Sequence, residues 1–72
     1  MNNYINQLCD QVEAQHPHFV MSIMQGKFIY FFDKNGLPAG TLEIKEVRGN
    51  QLVVDLFDYK NKLRHDHASW NF

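Results

Sequence analysis

The sequence predicts an α+β domain in which one N-terminal helix packs on a four-stranded antiparallel β-meander built from two hairpins. Three observations predict this fold. Apolar residues recur every three or four positions before Pro17, they alternate every two positions after it, and turn-forming segments separate the alternating stretches. Since the chain has 72 residues, we expect a single domain spanning 1–72 with one core.

The N-terminal segment is predicted to be a helix over about 3–15. Ile5, Leu8 and Val12 are spaced by three and four residues, which places them on one apolar stripe of a helix. Pro17 ends this helix, because the residue before a proline is pushed out of the helical region of backbone space. This apolar stripe can pack against one face of a sheet and cover it.

The first hairpin is predicted from segments 18–24 and 27–33, which flank a two-residue turn at Gln25 and Gly26. This register gathers the alternate residues of both strands on one apolar face, which we assign to the core. That face consists of Phe19, Met21, Ile23, Phe28, Tyr30 and Phe32. Segment 33–40, which contains Pro38 and two glycines, is predicted to be the loop between the hairpins.

The second hairpin is predicted from segments 41–47 and 52–57. A two-residue turn at Gly49 and Asn50 would set Ile44 against Asp55, so we prefer a three-residue loop that also includes Arg48. This loop brings the apolar residues of both strands onto the core face, namely Leu42, Ile44, Leu52, Val54 and Leu56.

The C-terminal segment 59–72 has two interpretations. Leu63, His67 and Trp70 are spaced by four and three residues, which is compatible with a short helix lying against the sheet. A loose tail is the alternative, because chain ends without tertiary contacts are usually mobile.

The face of the sheet away from the helix is predicted to remain partly apolar. We expect it to carry Val20, Ile29, Phe31, Val53 and Phe57. Larger exposed apolar patches usually mark interaction sites, so this face predicts a protein-binding surface. The C-terminal segment or a second copy of the chain are the other candidates for covering it. Arg64 and Trp70 are of residue types enriched at binding hot spots, and they join the predicted contact set.

Charge argues against a dominant role in binding nucleic acid. The formal net charge is −1, whereas nucleic-acid affinity comes largely from a basic surface that neutralises phosphates. The C-terminal segment nevertheless combines Lys60, Lys62 and Arg64 with aromatic residues, as single-strand binding surfaces do. A small nucleic-acid-binding protein is therefore the alternative hypothesis.

No catalytic motif stands out. Cys9 falls on the apolar stripe of the helix, where a thiol packs as a small hydrophobic group, and no glycine-rich phosphate loop or nucleophile elbow is present. Two histidine pairs, His16 with His18 and His65 with His67, are a weak metal signal, because structural zinc sites generally present four ligands. We therefore expect no enzyme activity, no bound metal and no other cofactor.

The compartment and partner class follow from the same features. One cysteine cannot form an internal disulfide, and the longest uninterrupted apolar run, 28–32, is too short to span a membrane. We expect a cytoplasmic protein that does not enter membranes. Chains this small without catalytic groups are often microbial or phage regulators or inhibitors. The predicted function is a non-enzymatic module that occludes a surface of a larger protein or complex, with self-association also open.

Overall fold

The computed structural model of the protein describes residues 2–71, with side chains described from Tyr4 onward. The elements are α1 (Asn2–Gln15), β1 (Met21–Gln25), β2 (Phe28–Phe32), β3 (Pro38–Arg48), β4 (Gln51–Asp58) and β5 (Leu63–Asn71). The strands form one antiparallel sheet in the order β1-β2-β3-β4-β5. The α+β class and the N-terminal helix are confirmed, whereas the prediction of four strands and a C-terminal helix is wrong.

The C-terminal segment is a fifth strand because it completes the core face beside β4. Trp70 lies opposite Leu52 and Ala68 lies opposite Val54, so both pack against the core. The pairing then shifts, and His65 lies opposite Leu56. The shift is a β-bulge at which His67 has a φ of 54°. A bulge adds one residue to the two-residue period, and the resulting spacing of three resembles that of a helix.

The first hairpin turns one residue later than predicted. Gln25 pairs with Phe28, so the two-residue turn is Gly26–Lys27 rather than Gln25–Gly26. Gly26 has a φ of 62°, a left-handed conformation that glycine adopts without steric cost. The same side chains still share a face as predicted, because a register shift of two residues keeps every side chain on its face.

The face of β2 that enters the core was assigned incorrectly. Ile29 pairs with Leu42 and Phe31 pairs with Gly40, so Ile29 and Phe31 point toward α1. Both are 0% exposed. The residues predicted for the core in this hairpin lie instead on the opposite face, except for Phe19: they are Met21, Ile23, Phe28, Tyr30 and Phe32. Because β2 has five apolar residues in succession, alternation within the strand does not distinguish its faces.

The second hairpin has the predicted core face but a different loop length and register. Its loop is the two-residue turn Gly49–Asn50, since Arg48 pairs with Gln51. A register shift between Ile44 and Glu46 compensates, so that Ile44 still lies opposite Val54. We predicted a three-residue loop because we considered only regular strands, and a bulge in β3 achieves the same alignment.

The core lies between α1 and one face of the sheet. The stripe of α1 contributes Ile5, Leu8 and Val12 as predicted. The other buried hydrophobic residues are Phe19, Ile29, Phe31, Ala39, Leu42, Leu52, Val54 and Leu56. Phe19 stacks on Phe31 with ring centroids 4.7 Å apart, in the space left by Gly40, which has no side chain. Within residues 2–71, α1 falls short of the length and apolar character that a membrane-crossing helix requires.

Candidate functional site

Two histidines and one aspartate meet at one end of the sheet, next to the segment that connects α1 to β1. His16 follows the last helical residue, and its backbone N–H still donates to the carbonyl of Val12. His18 lies two residues further on, in the segment that leads to β1. Asp58 is the last residue of β4 and is 0% exposed. We call His16, His18 and Asp58 the His–Asp cluster.

Each imidazole of the His–Asp cluster donates to a different oxygen of the carboxylate. The distance from His16 Nδ1 to Asp58 Oδ2 is 2.7 Å, and the distance from His18 Nε2 to Asp58 Oδ1 is 2.9 Å. Asn61 adds its backbone N–H to Oδ1 at 3.2 Å and its side-chain amide to Oδ2 at 2.9 Å. Every oxygen of this buried acid is therefore hydrogen-bonded, as a buried polar group requires.

The hydrogen bonds keep Asp58 ionised. Burial by itself would raise the pKa of the carboxyl group, because it disfavours the charged form. Hydrogen bonds from the Asn61 backbone, His16, His18 and the Asn61 side chain outweigh burial and lower the pKa of Asp58 to about 2. The cluster thus places a carboxylate anion against two imidazoles in a largely buried site.

Aromatic packing orients both imidazoles. The His16 ring stacks on Phe19 at a centroid distance of 4.9 Å, and the His18 ring meets Phe19 edge-on at 4.7 Å. Phe19 in turn stacks on Phe31 in the core. The segment after α1 is therefore fixed both by the core and by the carboxylate at the end of β4.

A cleft opens beside the His–Asp cluster. Its volume is about 660 Å³, and His18 forms part of its wall. Lys34 and Lys60 also line it, together with the exposed ring of Tyr59. His18 thus connects the buried carboxylate to solvent, since its side chain remains 16% exposed.

The predicted contact set does not form one surface. Ile29 and Phe31 belong to the core, so their assignment to an exposed patch is wrong. Val20 is exposed and lines the cleft, while Trp70 is half-buried against the core. Ile29 and Phe31 are buried because the face of β2 is reversed relative to our prediction. The predicted contact residues therefore lie in different parts of the molecule.

Three members of the predicted set do lie on the outer face of the sheet. Val53 and Phe57 are half-buried on the face away from α1, where Phe57 lies opposite Arg64. The Arg64 guanidinium lies over the Phe57 ring, 4.7 Å from its centroid. Lys60 and Lys62, from the nucleic-acid hypothesis, lie in the turn between β4 and β5.

The residues excluded from the core form an apolar strip on the outer face of β1 and β2. We define the apolar strip as Met21, Ile23, Phe28, Tyr30 and Phe32. Met21 and Ile23 are exposed, and the three aromatic residues are half-buried. Phe28 and Tyr30 stack with ring centroids 6.1 Å apart. Among the described residues, the only helix packs on the other face, so no helix covers the strip.

At β3 the outer face of the sheet changes from apolar to charged. Glu43 pairs with Lys27 at 3.0 Å and with Lys45 at 3.6 Å, and Lys45 also reaches Asp55 at 4.0 Å. The pKa of Glu43 is lowered, chiefly by the hydrogen bond from Lys27. These acids are neutralised by neighbouring lysines, as on an ordinary solvated surface. The apolar strip is thus bordered by charge on the β3 side.

The two histidine pairs have different surroundings. His16 and His18 converge on Asp58, a partner that sequence reasoning did not assign to them. His65 lies on β5 just before its bulge and His67 lies within the bulge, and both are exposed. His67 Nδ1 is 3.9 Å from Asp55 Oδ1, and its backbone N–H donates to the same oxygen at 2.7 Å.

A signal for Asp58 was present in the sequence. Leu52, Val54 and Leu56 alternate on the core face, and Asp58 is the next residue in that alternation. An acid at a core position requires hydrogen-bond partners, so it predicts a buried polar site. Our prediction ended this strand at residue 57 and assigned no role to Asp58.

In comparisons with known proteins, no protein-family model, curated protein or solved structure matches the chain. The class defined so far is a small α+β domain with a five-stranded antiparallel meander. Its function has to be argued from the two features above, the His–Asp cluster and the apolar strip.

Proposed function

We propose that this chain is a non-enzymatic protein-binding module whose contact surface is the apolar strip. The observation that carries the proposal is that α1 packs on one face of the sheet, while Ile23, at the centre of β1, is 52% exposed on the other. Aromatic residues and methionine are enriched at protein interfaces, and fully burying one such side chain contributes about 1.5–3 kcal/mol.

The strip adjoins a sheet edge that favours pairing with another strand. β1 is an edge strand, and its sequence Met-Ser-Ile-Met-Gln contains no charge and no proline. Soluble proteins usually protect such edges with charged residues or bulges. The other edge, β5, has both: it carries Arg64 and Asp66 and is bulged at His67. The contrast between the two edges supports β1 as the docking edge.

The partner that fits this edge is an extended, apolar segment of a larger protein. Such a segment would add a sixth strand beside β1 and place alternate side chains against Met21 and Ile23, as in β-strand addition. Covering that segment would make the chain a regulator or inhibitor that acts by occlusion. The charged residues of β3 supply a polar rim on one side of the contact.

Matched lysine variants test the proposal. A partner captured from cell lysate on the immobilised chain is purified and titrated by calorimetry against three proteins: wild type, Ile23→Lys and Val47→Lys. Val47 is also an exposed aliphatic residue, but it lies opposite the core residue Leu52, on the other face of the sheet. We expect Ile23→Lys to weaken binding at least about tenfold, or about 1.4 kcal/mol, because it places a charge in the contact.

Two results would contradict the proposal. Equal affinity of wild type and Ile23→Lys would show that the partner binds elsewhere. A wild-type solution mass of two chains that Ile23→Lys reduces to one would show that the strip binds a second copy instead. Circular dichroism of both variants checks that the fold is retained.

Nucleic-acid binding through Lys60, Lys62 and Arg64 is the second candidate. One observation favours it: Lys60 shares the cleft with Lys34 and the exposed ring of Tyr59, so cations and a stacking surface lie together. Binding of single-stranded DNA would weaken steeply as salt rises, since it releases counterions, whereas binding at the apolar strip would respond only mildly. A titration at low salt that detects no DNA binding would exclude this candidate.

A further inference from the structure

We propose that the His–Asp cluster binds a divalent transition-metal ion through His16 Nδ1, His18 Nε2 and one carboxylate oxygen of Asp58. One ligand atom from each of the three residues lies within 4.8 Å of the others, and His16 Nδ1 and His18 Nε2 are the nitrogens that contact the carboxylate, at 2.7 and 2.9 Å. They come from two parts of the chain, the segment after α1 and the end of β4, so the ion would join them. This site is independent of the apolar strip, which lies on the outer face of the sheet.

The required rearrangement is small. Zinc–nitrogen bonds are about 2.0–2.1 Å long and zinc is tetrahedral, so two nitrogens that share an ion lie about 3.3 Å apart. Starting from separations of at most 4.8 Å, the two nitrogens need to approach each other by at most about 1.5 Å, a movement that the two rings can share. His18 forms part of the cleft wall, so the side of its ring away from Phe19 borders open space into which the ring can shift.

Asn61 keeps the carboxylate in place when the imidazoles bind an ion. Its backbone N–H and side-chain amide donate to the two oxygens of Asp58 from the side of the β4–β5 turn. Partners that orient a ligating carboxylate in this way are a general feature of metal sites. The two imidazole hydrogen bonds can therefore be replaced without leaving Asp58 unsupported.

The proton balance is simple. A neutral imidazole that donates to Asp58 has its proton on the nitrogen that faces the carboxylate. On binding the ion, that proton would be carried by the other ring nitrogen, Nε2 in His16 and Nδ1 in His18. The ion then meets one negative carboxylate and two neutral nitrogens, and the complex carries a single positive charge.

The ligand set selects the class of metal. Two imidazoles and one carboxylate suit Zn²⁺, Co²⁺, Ni²⁺ or Cu²⁺, whereas Mg²⁺ and Ca²⁺ prefer oxygen ligands alone. Three protein ligands leave at least one coordination position, which water from the adjoining cleft can fill.

The experiment titrates the chelator-treated protein with Co²⁺ and follows its visible absorption, then displaces Co²⁺ with Zn²⁺. We expect one saturable site per chain. His18→Ala should weaken Zn²⁺ affinity at least about tenfold, because it removes one of three protein ligands. The double variant His65→Ala/His67→Ala is the matched control and should bind as wild type does, since it removes the other histidine pair.

A second measurement does not depend on a variant that folds. In ¹⁵N-labelled wild type, Zn²⁺ should shift the imidazole resonances of His16 Nδ1 and His18 Nε2 and leave those of His65 and His67 in place. Failure of Co²⁺ or Zn²⁺ to bind at millimolar concentration would overturn the proposal. Binding that persists in His18→Ala but is lost in His65→Ala/His67→Ala would overturn it as well.

Discussion

Asp58 is the residue on which the end of the sheet depends. It accepts four hydrogen bonds from His16, His18 and Asn61 while being fully buried. A carboxylate that is held this way ties the chain after α1 to the β4–β5 turn. Its charge is stable in the fold only because these donors compensate for the lost hydration.

Acid is expected to weaken the fold through Asp58. The pKa of this carboxyl group is about 2 in the fold and 3.8 ordinarily, so the folded state favours the ionised form. The stabilisation is therefore fully present above pH 3.8 and is lost as the pH falls toward 2. Its size is roughly 1–2 kcal/mol, allowing for solvent screening.

Urea unfolding of wild type and Asp58→Asn with chelator present measures this effect. The free energy of unfolding of wild type should exceed that of the variant near pH 6, and the difference should shrink between pH 4 and pH 2. Asp66→Asn, at an exposed aspartate of β5, serves as the control and should show no such convergence. A difference that is independent of pH would contradict the role given to Asp58.

Two of the five strands depend on bulges. The register shift in β3 aligns Ile44 with Val54 despite the short turn, and the shift in β5 aligns Ala68 and Trp70 with β4. Each bulge replaces a spacing of two by a spacing of three. Because alternation is the signal from which strands are predicted, β5 was interpreted as a helix or tail, and the β3–β4 loop was predicted to be one residue too long.

Gly40 is the position in β3 where a side chain is excluded. A Cβ atom there would lie 2.5 Å from Cζ of Phe19 and 2.7 Å from the backbone oxygen of Phe57. The Phe57 backbone is held within the sheet and cannot yield. We expect Gly40→Ala to lower the free energy of unfolding by about 1–3 kcal/mol, the usual cost of overpacking.

Chemical denaturation tests this expectation. The control Gln25→Ala, at an exposed residue of β1, should stay within about 0.5 kcal/mol of wild type. An unchanged stability of Gly40→Ala would show that Phe19 does not occupy the space above β3.

Within residues 2–71, the sheet has apolar side chains on both faces and the structure has one helix to cover them. α1 covers the face that carries Ile29 and Phe31, and the apolar strip remains on the other face. We predicted that an apolar surface would be left on the sheet away from the helix, and that surface exists. Its composition differs from the prediction, since β1 and β2 present the opposite set of side chains.

Neighbouring residues of β2 test which face is the core. Phe31 is 0% exposed and stacks on Phe19, whereas Tyr30 belongs to the apolar strip. Phe31→Lys should cost more than about 4 kcal/mol, comparable with the total stability of so small a domain, and should leave the chain unfolded.

Tyr30→Lys should remain folded, because its side chain is only half-buried on the outer face. Amide proton–nitrogen spectra distinguish the outcomes, since an unfolded chain loses its dispersion. A folded Phe31→Lys beside an unfolded Tyr30→Lys would mean that the two faces are reversed.

Local patterns were sufficient for the class of the fold, the extent of α1, the existence of the first four strands and the core face of β3 and β4. These follow from spacing along the chain, because neighbouring residues on one element share a face. The histidine pair at 16 and 18 was also visible, but its pairing with Asp58 was not. Sequence spacing carries no information about which distant acid a side chain will meet.

The choice of face for β2, the pairing of β5 and the His–Asp cluster came from packing in three dimensions. When five consecutive residues are apolar, as in β2, either face satisfies the hydrophobic effect locally. The pairing of Phe31 with Gly40 opens space for Phe19, and that contact joins residues far apart in the chain. Long-range contacts of this kind select one arrangement among several that the local pattern permits equally.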